Sequence, residues 1–220
     1  MKKLFLIFVC CMGLGVCQVA KGTMSLDFYR ITDNNPTDLS GQFSVDVTAD
    51  ASYFYFKFIN SGPVESKITQ LYWDDGLLPS AIFDAALSSP GVAFTSGATP
   101  SDLPGGNMVG FEATKELSAQ RDPNVNFGIG PYEYATIKFA IGGAFPDLTS
   151  LEAALTDFTL NPKAYLEPTL WIGMHVQSQG LQSTSDGYVH TSTRVPDGGA
   201  TAALVGLGIL GLGYISRRKA

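Results

Sequence analysis

Tyr53-Phe54-Tyr55-Phe56-Lys57-Phe58-Ile59 is the stretch that decides the fold, because a lysine is its one residue that is neither aromatic nor aliphatic. Successive side chains of a β-strand point to opposite faces, so Phe54, Phe56 and Phe58 are expected to share one face of a sheet. The opposite face carries bulky side chains as well, which is typical of a strand covered on both sides. The stretch therefore predicts a central strand of a β-sheet.

Segments on either side of this strand support a mainly β fold. Residues 43–48 and 135–139 alternate between apolar and polar side chains, the pattern of half-buried strands. Turn-forming Gly, Pro, Asn and Asp residues separate the further strands that we predict at Ser25–Ile31, Lys67–Trp73, Gly91–Thr95, Met108–Ala113 and Leu170–Gln177. Many short strands with regular turns predict an antiparallel β-sandwich, jelly-roll-like or immunoglobulin-like.

One or two short helices are expected beside the strands. Residues 149–152, Thr-Ser-Leu-Glu, fit a capping box, and Leu151, Leu155 and Phe158 follow at helical spacing. A second helical turn is predicted to begin at Pro79, because proline is tolerated at the first position of a helix.

The N-terminal residues 1–22 are predicted to be a signal peptide. Lys2 and Lys3 precede an uncharged apolar stretch, residues 4–16, which is too short for a comfortable membrane span. Ala20 and Gly22 provide a small-x-small site for signal peptidase, so the mature chain is expected to begin near residue 23. The alternatives are a retained anchor and a lipoprotein, although Val16 fits poorly before the lipobox cysteine.

The chain has three cysteines, and all of them lie inside this predicted signal peptide. They are Cys10, Cys11 and Cys17. The mature protein is therefore expected to have no disulfide, cysteine-ligated metal or thiol nucleophile.

The C-terminus carries three features in a fixed order. A Pro-containing motif comes first, an apolar, glycine-rich run at residues 200–215 follows it, and a basic cluster comes last. The motif consists of Val195, Pro196, Asp197, Gly198 and Gly199, and the basic cluster of Arg217, Arg218 and Lys219. We predict a transmembrane segment at 200–216, with the basic cluster in the cytoplasm and the preceding domain outside.

This C-terminal order resembles the PEP-CTERM sorting domain, in its VPDGG variant. The resemblance covers residues 195–220 and implies that an exosortase, an integral-membrane protease, cleaves at the motif after the precursor has been transiently anchored in the inner membrane. It divides the chain into a signal peptide, a secreted β-sandwich domain at 23–194 and a sorting tail. An ordinary tail anchor with a glycine linker is the alternative.

The middle of the chain resembles the body domain of many PEP-CTERM proteins. The resemblance rests on residues 56–63, 72–76 and 170–177. It implies the same fold and the same destination, the cell surface or the extracellular space, and it implies no activity.

The exported part is strongly acidic. Residues 23–195 contain eight Lys and Arg against nineteen Asp and Glu, a formal charge of −11. Nucleic acid is excluded as a partner, because phosphate binding requires a cationic surface. Divalent cations and extracellular polysaccharide remain compatible with this charge.

A speculative ligand face consists of Asp74, Asp75, Trp171 and His175. In a strand at 170–177, His175 lies on the same face as Trp171 and Gln177, where Trp171 could stack on a sugar. Trp73 is a second aromatic candidate for stacking. The alternative is that this row packs beneath a loop, which we favour.

Two acidic turns, Asp33-Asn34-Asn35 and Asp74-Asp75-Gly76, offer oxygen ligands of the kind that calcium accepts. Neither has EF-hand spacing, and the same residues are common in ordinary tight turns. We therefore expect no resident cofactor and leave calcium open.

No nucleophile elbow, zinc-protease motif, P-loop or dinucleotide fingerprint occurs in the sequence. We predict a non-catalytic structural or adhesive body rather than an enzyme. A calcium- or carbohydrate-binding module is the alternative, and a secreted glycan hydrolase with two converging carboxylates is the less favoured one.

Overall fold

The computed structural model describes residues 23–74, 77–123, 128–160, 166–180 and 184–191. The predicted signal peptide, the sorting motif at 195–199, the basic cluster and Asp75 lie outside these residues. No helix among the described residues has the length and apolar character needed to cross a membrane, and the segment predicted to do so, 200–216, lies outside them.

Strands dominate the described part of the chain. They are β1 Met24–Arg30, β2 Phe43–Ala49, β3 Tyr53–Asn60, β4 Lys67–Asp74, β5 Ile82–Phe83, β6 Phe94–Ser96, β7 Ser118–Arg121, β8 Glu133–Ala140, β9 Thr159–Leu160, β10 Leu166–Glu167, β11 Trp171–Gln179 and β12 Thr184–His190. Two α-helices, α1 Gly106–Val109 and α2 Leu148–Thr156, and the short 3₁₀ turns Ser40–Gln42, Ala85–Leu87 and Lys115–Leu117 complete the described elements.

Ten of these strands form one antiparallel sheet in the order β5-β8-β3-β2-β1-β12-β11-β4-β7-β6, while β9 and β10 pair separately. We call β5-β8-β3-β2 and β12-β11-β4-β7-β6 the two halves of the sheet. The strand β1 joins them, because Met24–Asp27 pairs with β2 and Phe28–Arg30 pairs with β12. The end strands β5 and β6 come close to each other, so the sheet forms a nearly closed barrel. The mainly β, antiparallel prediction is confirmed, with one continuous sheet where two separate sheets were expected.

Aromatic side chains fill the space between the two halves of the sheet. Phe54, Phe56 and Phe58 are fully buried on one face of β3, as the alternation predicts. The Trp73 ring of β4 packs edge-on against Phe56 at 6.2 Å, Phe58 at 5.7 Å and Phe139 at 5.1 Å between ring centroids. Trp73 thus joins the halves across the core.

Helix α2 is present, but it begins differently from the prediction. Its N-cap is Asp147, whose carboxylate accepts a hydrogen bond from the Ser150 backbone N–H at 2.8 Å, so the predicted box at 149–152 is displaced by two residues. Leu151 and Leu155 are buried as expected, whereas Phe158 lies beyond the helix.

Two other local predictions are wrong, and one long strand was not predicted. The predicted strand at 108–113 is instead the end of α1 and a loop. No helix begins at Pro79, and the nearest helical turn is Ala85–Leu87, capped by the Asp84 side chain. The strand β12 was missed, because its opening residues, 184–187, are of the types that favour turns.

Candidate functional site: a polar groove on the outer sheet face

The outer face of β4 and β11, opposite the core, carries the predicted ligand residues. Asp74 pairs with Trp171 and Gln70 with His175 in the antiparallel register of these strands. Trp171 and His175 therefore do share a face, but their side chains are 1% and 7% exposed. The covering segment, which we define as residues 97–114 between β6 and the third 3₁₀ turn, explains the burial of Trp171.

Trp171 lies in a second hydrophobic cluster beneath the covering segment. Its ring centroid is 5.7 Å from that of Phe111, and its Nε1–H donates a hydrogen bond to the His190 carbonyl at 3.1 Å. The other members are Ile31, Tyr72, Ala98, Leu103, Val109 and Val189. Trp171 thus packs under a loop, and with Trp73 fully buried in the core neither indole face is open to a sugar ring in this structure.

Two glycines let the covering segment lie directly on the sheet. A Cβ added to Gly187 would lie 2.2 Å from the Pro104 carbonyl oxygen, and one added to Gly173 would lie 2.7 Å from a Leu103 methyl group. Real Cβ atoms do not approach other atoms this closely. A side chain at position 187 would therefore displace the backbone of the covering segment at Pro104, whereas one at position 173 would displace the Leu103 side chain.

Beyond the covering segment the same sheet face becomes polar. Gln120 of β7 pairs with Gln70 of β4, which pairs with His175 of β11, so three polar residues form a row across the sheet. A cavity of about 290 Å³ lies over Gln70 and Gln120 of this row and is lined by Thr69, Gln70, Thr99, Gln120, Arg121, Pro123 and Gln177. We call this cavity the outer groove.

Hydrogen bonds fix the floor of the outer groove. The Gln70 Nε2–H donates to the Thr99 carbonyl, which orients Gln70 Oε1 toward His175 Nδ1 at 2.5 Å. An amide oxygen can only accept, so His175 carries its proton on Nδ1. Burial lowers the pKa of His175 below its usual 6.5, with a smaller opposing effect from Asp186, so the ring is neutral at pH 7.

The second histidine, His190, has a structural role, because both of its ring nitrogens are engaged by backbone groups. Its Nδ1 accepts a hydrogen bond from the Ile172 N–H at 2.9 Å, and its Nε2 lies 3.0 Å from the Leu155 carbonyl. Complete burial lowers the pKa of His190 to about 4, and no room remains for a ligand at the ring.

The acidic turn Asp33-Asn34-Asn35 surrounds a carboxylate of its own chain. Asp186 is buried and accepts hydrogen bonds from Thr32 Oγ1 at 2.7 Å and from the N–H groups of Asn34 at 2.8 Å and Asn35 at 3.2 Å. Asp33 pairs with Arg30 at 2.7 Å. This turn therefore holds Asp186, a residue that no sequence signal singled out.

The other acidic turn is described only in part. Asp74 accepts a hydrogen bond from the Glu112 N–H at 2.8 Å, whereas Asp75 and Gly76 lie outside the described residues. Within the described ranges no group of three or more His, Cys, Asp or Glu side chains could hold a metal ion. Calcium binding stays a prediction.

Residues 194–219 match the family model of the VPDSG-CTERM motif, a PEP-CTERM-like exosortase sorting signal. At the fourth position of the motif this chain has Gly198, where the family description has serine. The predicted sorting signal is confirmed, under a slightly different variant. Such a signal indicates an exported protein that an exosortase sorts. No curated protein and no solved structure matches the chain significantly.

Proposed function

We propose that this chain is exported through a cleaved signal peptide, anchored briefly in the inner membrane and released or transferred by an exosortase to the cell surface or extracellular matrix. Its folded body acts there as a non-catalytic structural or adhesive module. The observation that carries the proposal is the match of residues 194–219 to an exosortase sorting signal.

The acidic body supports the proposed extracellular role. A formal charge of −11 between residues 23 and 195 favours solubility outside the cell and disfavours association with nucleic acid or other polyanions. The predicted absence of cysteine from the mature chain suits a module whose stability comes from core burial alone.

The sorting route is tested by mass spectrometry of the protein's C-terminus in cells with and without exosortase. We expect cleavage near the motif in exosortase-positive cells alone, and Pro196→Ala should cause uncleaved precursor to accumulate. Pro90→Ala, at an exposed proline of the body, is the matched control and should be processed normally. An intact C-terminus through Ala220 in exosortase-positive cells would refute this route.

The non-catalytic role is tested against its main competitor, a glycan hydrolase. Protein purified from its host should show no turnover in a broad hydrolase screen. Robust hydrolysis that a single Asp or Glu substitution abolishes would overturn the proposal, because glycoside hydrolysis depends on a pair of carboxyl groups.

A further inference from the structure

Two glutamine amides in the outer groove have unused hydrogen-bonding capacity. The side chains of Gln120 and Gln177 are half-buried, line the cavity of about 290 Å³ and form no side-chain hydrogen bond with any residue that the structure describes. Each amide offers two N–H donors and one carbonyl acceptor. Polar groups in such positions are satisfied by water or by a ligand.

The floor between these amides is preorganised. Gln70 is 6% exposed, and both ends of its amide are engaged, by the Thr99 carbonyl and by His175. Thr69, 4% exposed, donates from its hydroxyl to the His175 carbonyl at 3.3 Å. A fixed floor reduces the ordering cost of binding, because Gln70 and Thr69 need not rearrange when a ligand binds.

The chemistry of the groove points to an uncharged ligand. Its seven lining residues include no carboxylate, which argues against a cation. The one charged residue among them, Arg121, already has an interaction partner within the protein, and the surrounding domain is strongly acidic, which argues against a polyanion. Amide and hydroxyl groups complement molecules that both donate and accept hydrogen bonds. We propose that the outer groove binds a neutral, hydroxyl-rich glycan, with Gln120 and Gln177 as its principal contacts.

This inference rests on the adhesive role proposed for the body but not on the sorting route. Since Trp73 and Trp171 are buried, the groove has no indole platform for stacking, and recognition depends on hydrogen bonds. The affinity of a single groove is therefore expected to be low. High avidity is expected only on a polymer that binds many copies of the protein at once.

Affinity electrophoresis tests the proposal with protein purified from its host, in the form in which it accumulates there. Native gels would contain dextran, laminarin or hydroxyethyl cellulose as neutral probes and alginate as the anionic one. We expect retardation by at least one neutral polysaccharide. Gln120→Ala and Gln177→Ala should each weaken it about fivefold, the effect of losing one neutral hydrogen bond, and together about 25-fold.

Thr48→Ala, on the outer face of β2 in the other half of the sheet, is the matched control and should leave retardation unchanged. Circular dichroism checks that every variant is folded. No retardation by any neutral probe, retardation by alginate alone, or full retardation of the double variant would each overturn the proposal. Failure of sorting is visible separately, as an uncleaved C-terminus, and does not alter this assay.

Discussion

The two ends of the outer face of β4 and β11 differ although they belong to the same two strands. At one end Tyr72 and Trp171 are buried beneath the covering segment, and at the other Gln70, which is bonded to His175, lines the open outer groove. The boundary falls where Gln70 bonds to the Thr99 carbonyl and Tyr72 to the Pro100 carbonyl. Strand geometry cannot explain the difference, so the path of a single loop decides which part of the face is core and which can meet a ligand.

Removal of the indole from the covered end should have the largest effect. Trp171→Ala is expected to lower the free energy of unfolding by about 3–5 kcal/mol, because it opens a cavity beneath the covering segment. Urea denaturation measures the change. A loss below 1 kcal/mol would mean that the covering segment does not depend on Trp171.

Lifting the covering segment should have the next largest effect. Gly187→Ala places a Cβ against the Pro104 carbonyl and should cost up to about 3 kcal/mol, with faster proteolysis within residues 97–114. Gly41→Ala is the control, because a Cβ there meets no atom within 4 Å. Equal protease resistance of the two variants would contradict the proposed close packing.

Acid should act mainly through His190, on the core face of β12, rather than through His175 on the outer face. The folded pKa of His190, about 4, lies below its unfolded value of 6.5, so the unfolded state binds the proton first and stability falls as the pH drops. Between pH 6.5 and 5 the loss should be about 2 kcal/mol. The pH dependence of the urea midpoint across this range should become weaker in His190→Gln than in His175→Gln. The reverse order would contradict the assignment of the acid sensitivity to His190.

The open end should tolerate change in the absence of ligand. Gln177→Ala lies on the same face of β11 as Trp171, but it is expected to alter the free energy of unfolding by no more than about 0.5 kcal/mol. Urea denaturation beside Trp171→Ala makes the comparison direct. A loss above 1 kcal/mol would show that Gln177 serves the fold rather than a ligand.

Local patterns predicted the core better than the site. Alternation placed Phe54, Phe56 and Phe58 on one buried face, because the period of a strand is a property of consecutive residues. Helical spacing located α2, although the cap is at Asp147 because an aspartate there meets Ser150 at the third helical position. Both features depend on short stretches of sequence.

The outer groove could not be predicted, because its three glutamines come from strands that are neighbours in the sheet but far apart in the sequence. Gln70, Gln120 and Gln177 meet through the register of β4, β7 and β11, which includes an irregularity after His175. Likewise the alternation of β11 placed Trp171 and His175 on one face, but only the path of residues 97–114 shows which of them is covered. Pairing partners and loop paths are properties of the whole chain.

The double membership of β1 has a consequence for the order of assembly. A chain delivered across a membrane with its N-terminus first presents β1 long before β12, its partner on one side, which comes more than 150 residues later. Until then the edge of Phe28–Arg30 has no strand to pair with, and unpaired edges invite association with other chains. Such distant pairing is also slow to form. Vectorial delivery therefore leaves the barrel incomplete until its last strand, Thr184–His190, has crossed the membrane.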